Sequence, residues 1–160
     1  MSSRVFASLL LLSPLLFSDK NPPVQPIPFS HKTHVAIPLK CGDCHAAPDP
    51  GEVMTIPSAA KCMACHRTIK ADSPAIRELT AYAEQKRSIP WVRVAEIPSW
   101  VFFSHKTHLD SGAKCEACHG PVAERDRLAQ EVDLSMRGCM DCHRAHKATV
   151  DCAACHELKN

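Results

Sequence analysis

Ten cysteines and ten histidines are the groups in this 160-residue chain with chemistry to offer, and they are not scattered. Cys41-Gly-Asp-Cys44-His45, Cys62-Met-Ala-Cys65-His66, Cys115-Glu-Ala-Cys118-His119, Cys139-Met-Asp-Cys142-His143 and Cys152-Ala-Ala-Cys155-His156 are five copies of C-x-x-C-H that together use every cysteine. Two thiols three residues apart can form thioethers with the two vinyl groups of one haem, and the next residue then sets an imidazole under the iron as proximal ligand. Other uses of the same pairs fit less well. A disulfide scaffold gives no reason for a His after each pair. His is one residue in sixteen here, so five coincidences are on the order of one in a million under that spacing rule. Zinc ribbons take two pairs per metal and would leave one over. Thioredoxin-like pairs come singly, within a βαβ pattern that is absent. The motifs therefore predict five covalently bound haems c.

Five histidines serve as proximal ligands, and five remain: His31, His34, His105, His108 and His146. Five irons each need a sixth ligand, so the count predicts bis-histidine ligation throughout. Met54, Met63, Met136 and Met140 are possible axial ligands in principle, but nothing in the count requires them and packing is the commoner role. Iron with both axial positions filled has no place for a substrate, whereas catalytic metal sites keep one open. His/His ligation also gives lower potentials than Met/His ligation. The expectation is a low-potential electron carrier with no catalytic residues. In each H-x-x-H pair the two side chains point to different haems. His31 and His34 are thus assigned to the first two motifs, His105 and His108 to the third and fourth, and His146 to the fifth, with crossing between units left open.

The chain that must hold these groups has little to build a core from. It has eight aromatic residues and 13 prolines, so the haems are expected to supply the hydrophobic mass and the haem-free chain to be largely unfolded. The net charge of +2, with no basic stripe, argues against nucleic acid as a partner. Without residues 1–18, whose one charged residue is Arg4, the chain carries +1. Five ferric haems with ionised propionates would bring it to about −4. Lys40, Lys61, Lys114 and Arg137, just ahead of the motifs, are candidate propionate partners, with plain solvation an equal alternative.

Residues 1–18 read as an export signal or a short membrane anchor, since their apolar stretch is shorter than the roughly 20 residues a spanning helix needs. Export to the periplasmic side fits the covalent attachment of haem c. Residues 19–28 form a Pro-rich tether. Residues 29–72 make a first dihaem module, 73–102 a helix and extended linker, and 103–160 a second dihaem module plus the fifth haem. The duplication is explicit. FSHKTHVAIPLKCGDCH at 29–45 aligns without gaps on FSHKTHLDSGAKCEACH at 103–119, with ten of 17 positions identical. The elements expected are short helices at the motifs, a helix from Ser73-Pro74 to about Arg87 with Ile76, Leu79 and Ala83 on one face, another near 122–132, and almost no sheet. Trp91, Trp100, Phe102 and Phe103 are expected to pack on haem faces.

The unit Phe-Ser-His-Lys-Thr-His followed by C-x-x-C-H resembles the class III cytochromes, the cytochrome c3 and c7 group. That resemblance implies a mainly irregular fold of short α-helices around stacked haems. A closer match runs from residue 27 to about 144. The stretches Ile56-Pro-Ser-Ala-Ala-Lys-Cys-Met-Ala-Cys-His66, Trp91-Val-Arg-Val94, Val101-Phe-Phe-Ser-His105, Cys118-His-Gly120 and Leu134-Ser-Met136 are similar to the pentahaem subunit of alternative complex III. What this implies is a relay on the periplasmic side of a quinol-oxidising membrane complex, peripherally associated with the membrane. Its neighbours would be an iron–sulfur subunit and a monohaem cytochrome or oxidase. Two other readings remain open: a free periplasmic shuttle of the c7 kind, and a multihaem reductase of a small nitrogen or sulfur oxide.

Overall fold

The computed structural model describes residues 21–157. The export-segment reading of residues 1–18 lies outside the described residues. Within them the chain forms eight short α-helices and one 3₁₀ turn: α1 (His31–Ala36), α2 (Cys41–Cys44), α3 (Ala59–His66), α4 (Pro74–Glu84), α5 (His105–Asp110), α6 (Cys115–His119), the 3₁₀ turn Val122–Glu124, α7 (Met136–Ala145) and α8 (Cys152–Cys155). The β-structure among them is one isolated antiparallel bridge, Val101 to His156. No described helix is long and apolar enough to cross a membrane.

Most of the helices start where a side chain can satisfy an orphan amide, α6 being an exception. The repeated Phe-Ser-His-Lys-Thr-His does this in the same way twice. Ser30 accepts from the Thr33 amide at 3.0 Å and Ser104 from the Thr107 amide at 3.3 Å. In α2 the roles reverse, the Lys40 amide donating to the Asp43 carboxylate at 2.7 Å. Asp151 caps α8 and Ser135 caps α7. Helix α1 stops at Ile37, whose extended backbone is what the following Pro38 demands. Helix α5 runs on to Asp110 and turns at Gly112, φ +88°.

The buried core is small and lies at one end. Six described hydrophobic side chains are buried, Ile27, Ala59, Met63, Ile76, Leu79 and Ile89, where α3 packs on α4. Ile76, Leu79 and Ala83 do share the inward face of α4. That helix ends at Glu84 rather than Arg87, because Lys86 takes a left-handed φ of +52° that breaks the helical run. The second expected helix, over 122–132, is only the 3₁₀ turn Val122–Glu124. Arg125 is extended, and its carbonyl accepts from the Lys32 amide on α1 at 3.1 Å instead of continuing a helix. Elsewhere large apolar side chains stay in the open: Trp100 is 65 % exposed, Phe102 58 % and Met136 66 %.

Candidate functional site

Each Cys-x-x-Cys pair lies on one helical turn, in α2, α3, α6, α7 and α8, and the following His sits at or just past that turn. None of the ten cysteines is in a disulfide. No group of three or more His, Cys, Asp or Glu converges to hold a bare metal ion among the described residues.

The ring of His31 faces that of His45 at 6.4 Å between centroids, and His105 faces His119 at 6.4 Å, with ring planes 11° and 1° apart. His34 faces His66 at 6.1 Å and His108 faces His143 at 6.0 Å, with planes 58° and 52° apart. A metal–imidazole bond is about 2.0–2.1 Å, and the nitrogen lies about 1.1 Å from the ring centre, so two imidazoles on one ion put their centres about 6.3 Å apart. The four spacings match axial ligands on opposite sides of one metal. The two modules also match each other, with a near-parallel pair and then a tilted pair.

The backbone fixes which ring nitrogen is available. Nδ1 of His45 donates to the Thr55 carbonyl at 2.8 Å, that of His66 to Ile69 at 2.9 Å and that of His143 to Thr149 at 2.5 Å. Among the partners, His34 donates to Ser30, His108 to Ser104 and His105 to Glu52, each at 2.8 Å. A carbonyl can only accept, so Nδ1 carries the proton and Nε2 keeps its lone pair for a metal. Burial, then His45 and His34, lowers the pKa of His31 to about 4. Burial, then His105 and His45, lowers that of His119. Both rings are thus neutral, the ligating form, at ordinary pH.

Phe29 and Phe103 pack on the rings of His31, His34, His105 and His108. Phe29 stacks on His34 at 4.3 Å and meets His31 edge-on at 4.8 Å. Phe103 repeats this with His108 at 4.6 Å and His105 at 4.8 Å. Sequence reasoning reaches Phe103 as a haem-packing residue but misses Phe29 and the six carbonyl acceptors. The gapless repeat is the signal that could have found Phe29. The carbonyls leave no trace in residue type. Trp91 packs against the α3–α4 core and stands edge-on to Phe29 at 6.4 Å, while Trp100 lies 5.2 Å from the His156 ring.

The fifth motif differs. His146 caps the C-terminus of α7, exposed and with no ring partner among the described residues. His156 has a buried Nδ1 without a hydrogen-bond partner there, and the bridge to Val101 holds its backbone. The structure does not bring these two histidines together. Of the basic residues ahead of the motifs, Arg137 pairs with Asp141 at 3.7 Å, while Lys40, Lys61 and Lys114 form no ion pair among the described residues.

Burial raises the pKa of four thiols, and in each the next contribution comes from a cysteine of another motif: Cys44 on Cys62, Cys41 on Cys115, Cys142 on Cys118, and Cys118 then Cys155 on Cys139. Paired thiols, facing imidazoles with free Nε2 atoms and apolar side chains left in the open are a donor set and a surface that fit haem c.

Comparison with known proteins agrees. Residues 17–90 match the class III cytochrome c family, and residues 101–157 match cytochrome c7 and related cytochromes c. The multihaem cytochrome c subunit of menaquinone reductase from Nitratidesulfovibrio vulgaris, strain Hildenborough, is 29 % identical over 161 aligned positions, covering 91 % of this chain and 72 % of that one. Short helices joined by irregular segments, with no strand among the described residues, are the fold class of class III multihaem cytochromes.

Proposed function

We propose that this multihaem c-type cytochrome holds five haems c and relays electrons as a subunit of a quinone-linked membrane complex on the periplasmic face. Its neighbours there would be an iron–sulfur subunit and a monohaem cytochrome or oxidase. The observation that carries the reading is the set of four facing imidazole pairs at 6.0–6.4 Å. In it Cys41, Cys44, Cys62, Cys65, Cys115, Cys118, Cys139, Cys142, Cys152 and Cys155 are the thioether positions. His45, His66, His119, His143 and His156 are the proximal ligands, and His31, His34, His105 and His108 the distal ones.

Bound haem iron supplies reversible one-electron oxidation and reduction. The chain's own part is to fix the ligands. Six backbone carbonyls hold Nδ1 protons, and two phenylalanines clamp the distal rings, so four axial pairs are set before any partner arrives. Rings committed in this way leave no coordination position for a substrate at those four sites, which favours a carrier over a reductase. At the fifth site His156 is the proximal ligand and His146 the candidate distal one by count.

The quinone link is supported by the relative's being a menaquinone reductase subunit and by the resemblance of the stretch from Trp91 to His105 to the alternative complex III subunit. Quinol oxidation is the direction that stretch favours. Native membranes solubilised in mild detergent, separated on a native gel and stained for haem test the proposal. Migration in a large band with iron–sulfur and polytopic partners is the expected result. Recovery wholly in the soluble periplasmic fraction would make the chain a free shuttle instead.

A further inference from the structure

The gapless repeat over 29–45 and 103–119 sets equivalent residues 74 positions apart, so Lys32 corresponds to Lys106 and Cys41 to Cys115; the same offset carried six and seven residues past its end pairs Gly51 with Arg125 and Glu52 with Asp126. Two backbone hydrogen bonds cross between the modules. The Lys32 amide donates to the Arg125 carbonyl at 3.1 Å, and the Lys106 amide donates to the Gly51 carbonyl at 2.9 Å. These are one bond made twice, in opposite directions. The next residue along joins the exchange on both sides, since Ser30 donates to the Asp126 carboxylate at 2.6 Å and His105 Nδ1 to the Glu52 carbonyl at 2.8 Å. When i of one copy meets j of the other while j of the first meets i of the second, the two are related by a twofold axis; a head-to-tail arrangement makes only one of the two contacts.

Near such an axis equivalent sites come together. The Glu52 carbonyl accepts from Nδ1 of His105, which faces the third motif, and three residues on, the Thr55 carbonyl accepts from Nδ1 of His45 in the first. We infer that the two dihaem modules form an internal dimer about a twofold axis passing between the first and third motifs, which makes those two haem sites neighbours. The remaining contacts then order the rest. His31 and His34 on α1 face the first and second motifs, His105 and His108 on α5 face the third and fourth, and the Thr149 carbonyl that holds His143 of the fourth lies two residues before Asp151, the cap of α8. The spatial order is second, first, third, fourth, fifth, not the order along the chain. Electrons pass between modules at the central pair. The ends offered to donor and acceptor are the second motif, beside the α3–α4 core, and the fifth, bridged to Val101.

This inference rests on the ligation reading above, and the test separates the two. Replacing a distal His by Met raises the potential of its own haem, so His31→Met, His34→Met and His105→Met tag the first, second and third sites. A haem reduced earlier also adds its charge to the field at a near neighbour, an effect that falls with distance. Spectroelectrochemical titration of the holoprotein, with low-spin signals followed by electron paramagnetic resonance, reads every midpoint. Non-additive shifts in His31→Met/His105→Met with additive shifts in His34→Met/His105→Met are the expected result. The reverse pattern overturns the internal dimer and leaves the ligation reading standing. Single variants that move no midpoint and no low-spin signal overturn the ligation reading, and this inference with it. An experimental structure of the unmodified holoprotein tests the same point without a variant: the first iron must have the third among its nearest neighbours, and any other arrangement overturns the internal dimer.

Discussion

Three glycines give a graded test of the joint between the modules. Gly51 has φ +84°, and a Cβ built on it would stand 2.5 Å from Cβ of Lys106. Gly112 has φ +88° with nothing within 4 Å, and Gly42, inside α2, also meets nothing within 4 Å. Gly112→Ala therefore incurs only the left-handed backbone strain of about 1–2 kcal/mol, partly offset by a stiffer unfolded chain, for a net loss of about 1 kcal/mol. Gly42→Ala should be neutral or stabilise by up to about 1 kcal/mol. Gly51→Ala adds overpacking against an atom next to the backbone, about 1–3 kcal/mol, and loosens the 2.9 Å bond from Lys106. Its total is about 3 kcal/mol. The Glu52 carbonyl that orients His105 is the next residue, so Gly51→Ala should also disturb the low-spin signal of the third haem, and Gly112→Ala should not. Guanidinium unfolding of the oxidised holoprotein, followed by the Soret band and by tryptophan fluorescence, measures the energies. Equal losses for Gly51→Ala and Gly112→Ala would refute the close approach of the modules, and with it the reasoning about their joint.

Gly138→Ala drives a Cβ into the Asp133 carbonyl oxygen; a backbone atom cannot swing away, so a loss above about 2 kcal/mol is expected in the same unfolding assay. Leu79→Ala removes a buried side chain from the α3–α4 core, at a loss of about 2–4 kcal/mol in the same assay. The carboxyl of Glu131 is held below its ordinary value of 4.5 by its hydrogen bonds from Arg125. Because its folded pKa is depressed, its contribution is present above about 4.5 and is lost as pH falls below that; Glu131→Gln should flatten this acid limb in stability measured against pH. Carbon monoxide should bind the reduced protein at no more than one haem per chain, the fifth, and two or more bound would contradict the four imidazole pairs.

Much of this protein was legible in one dimension because its chemistry is local. Two thiols and an imidazole within five residues define a haem attachment site whatever surrounds them, and Ser30, Ser73 and Ser104 cap helices three residues away. The repeat at 29–45 and 103–119 likewise announced two like modules before any coordinates. The helix expected over 122–132 shows where local reading stops. Nothing near Arg125 says that its carbonyl belongs to Lys32, 93 positions earlier. The separation of His146 from His156, the clamp of Phe29 on His34, and the carbonyls that choose each tautomer depend on atoms brought together through space. So does the exchange of Lys32 with Arg125 and of Lys106 with Gly51. Sequence alone determined the five Cys-x-x-Cys-His motifs and most helix starts, because covalent spacing and capping act over a few residues. Tertiary structure decided which sites are neighbours, because that rests on backbone amides and carbonyls, which every residue carries and no residue type reveals.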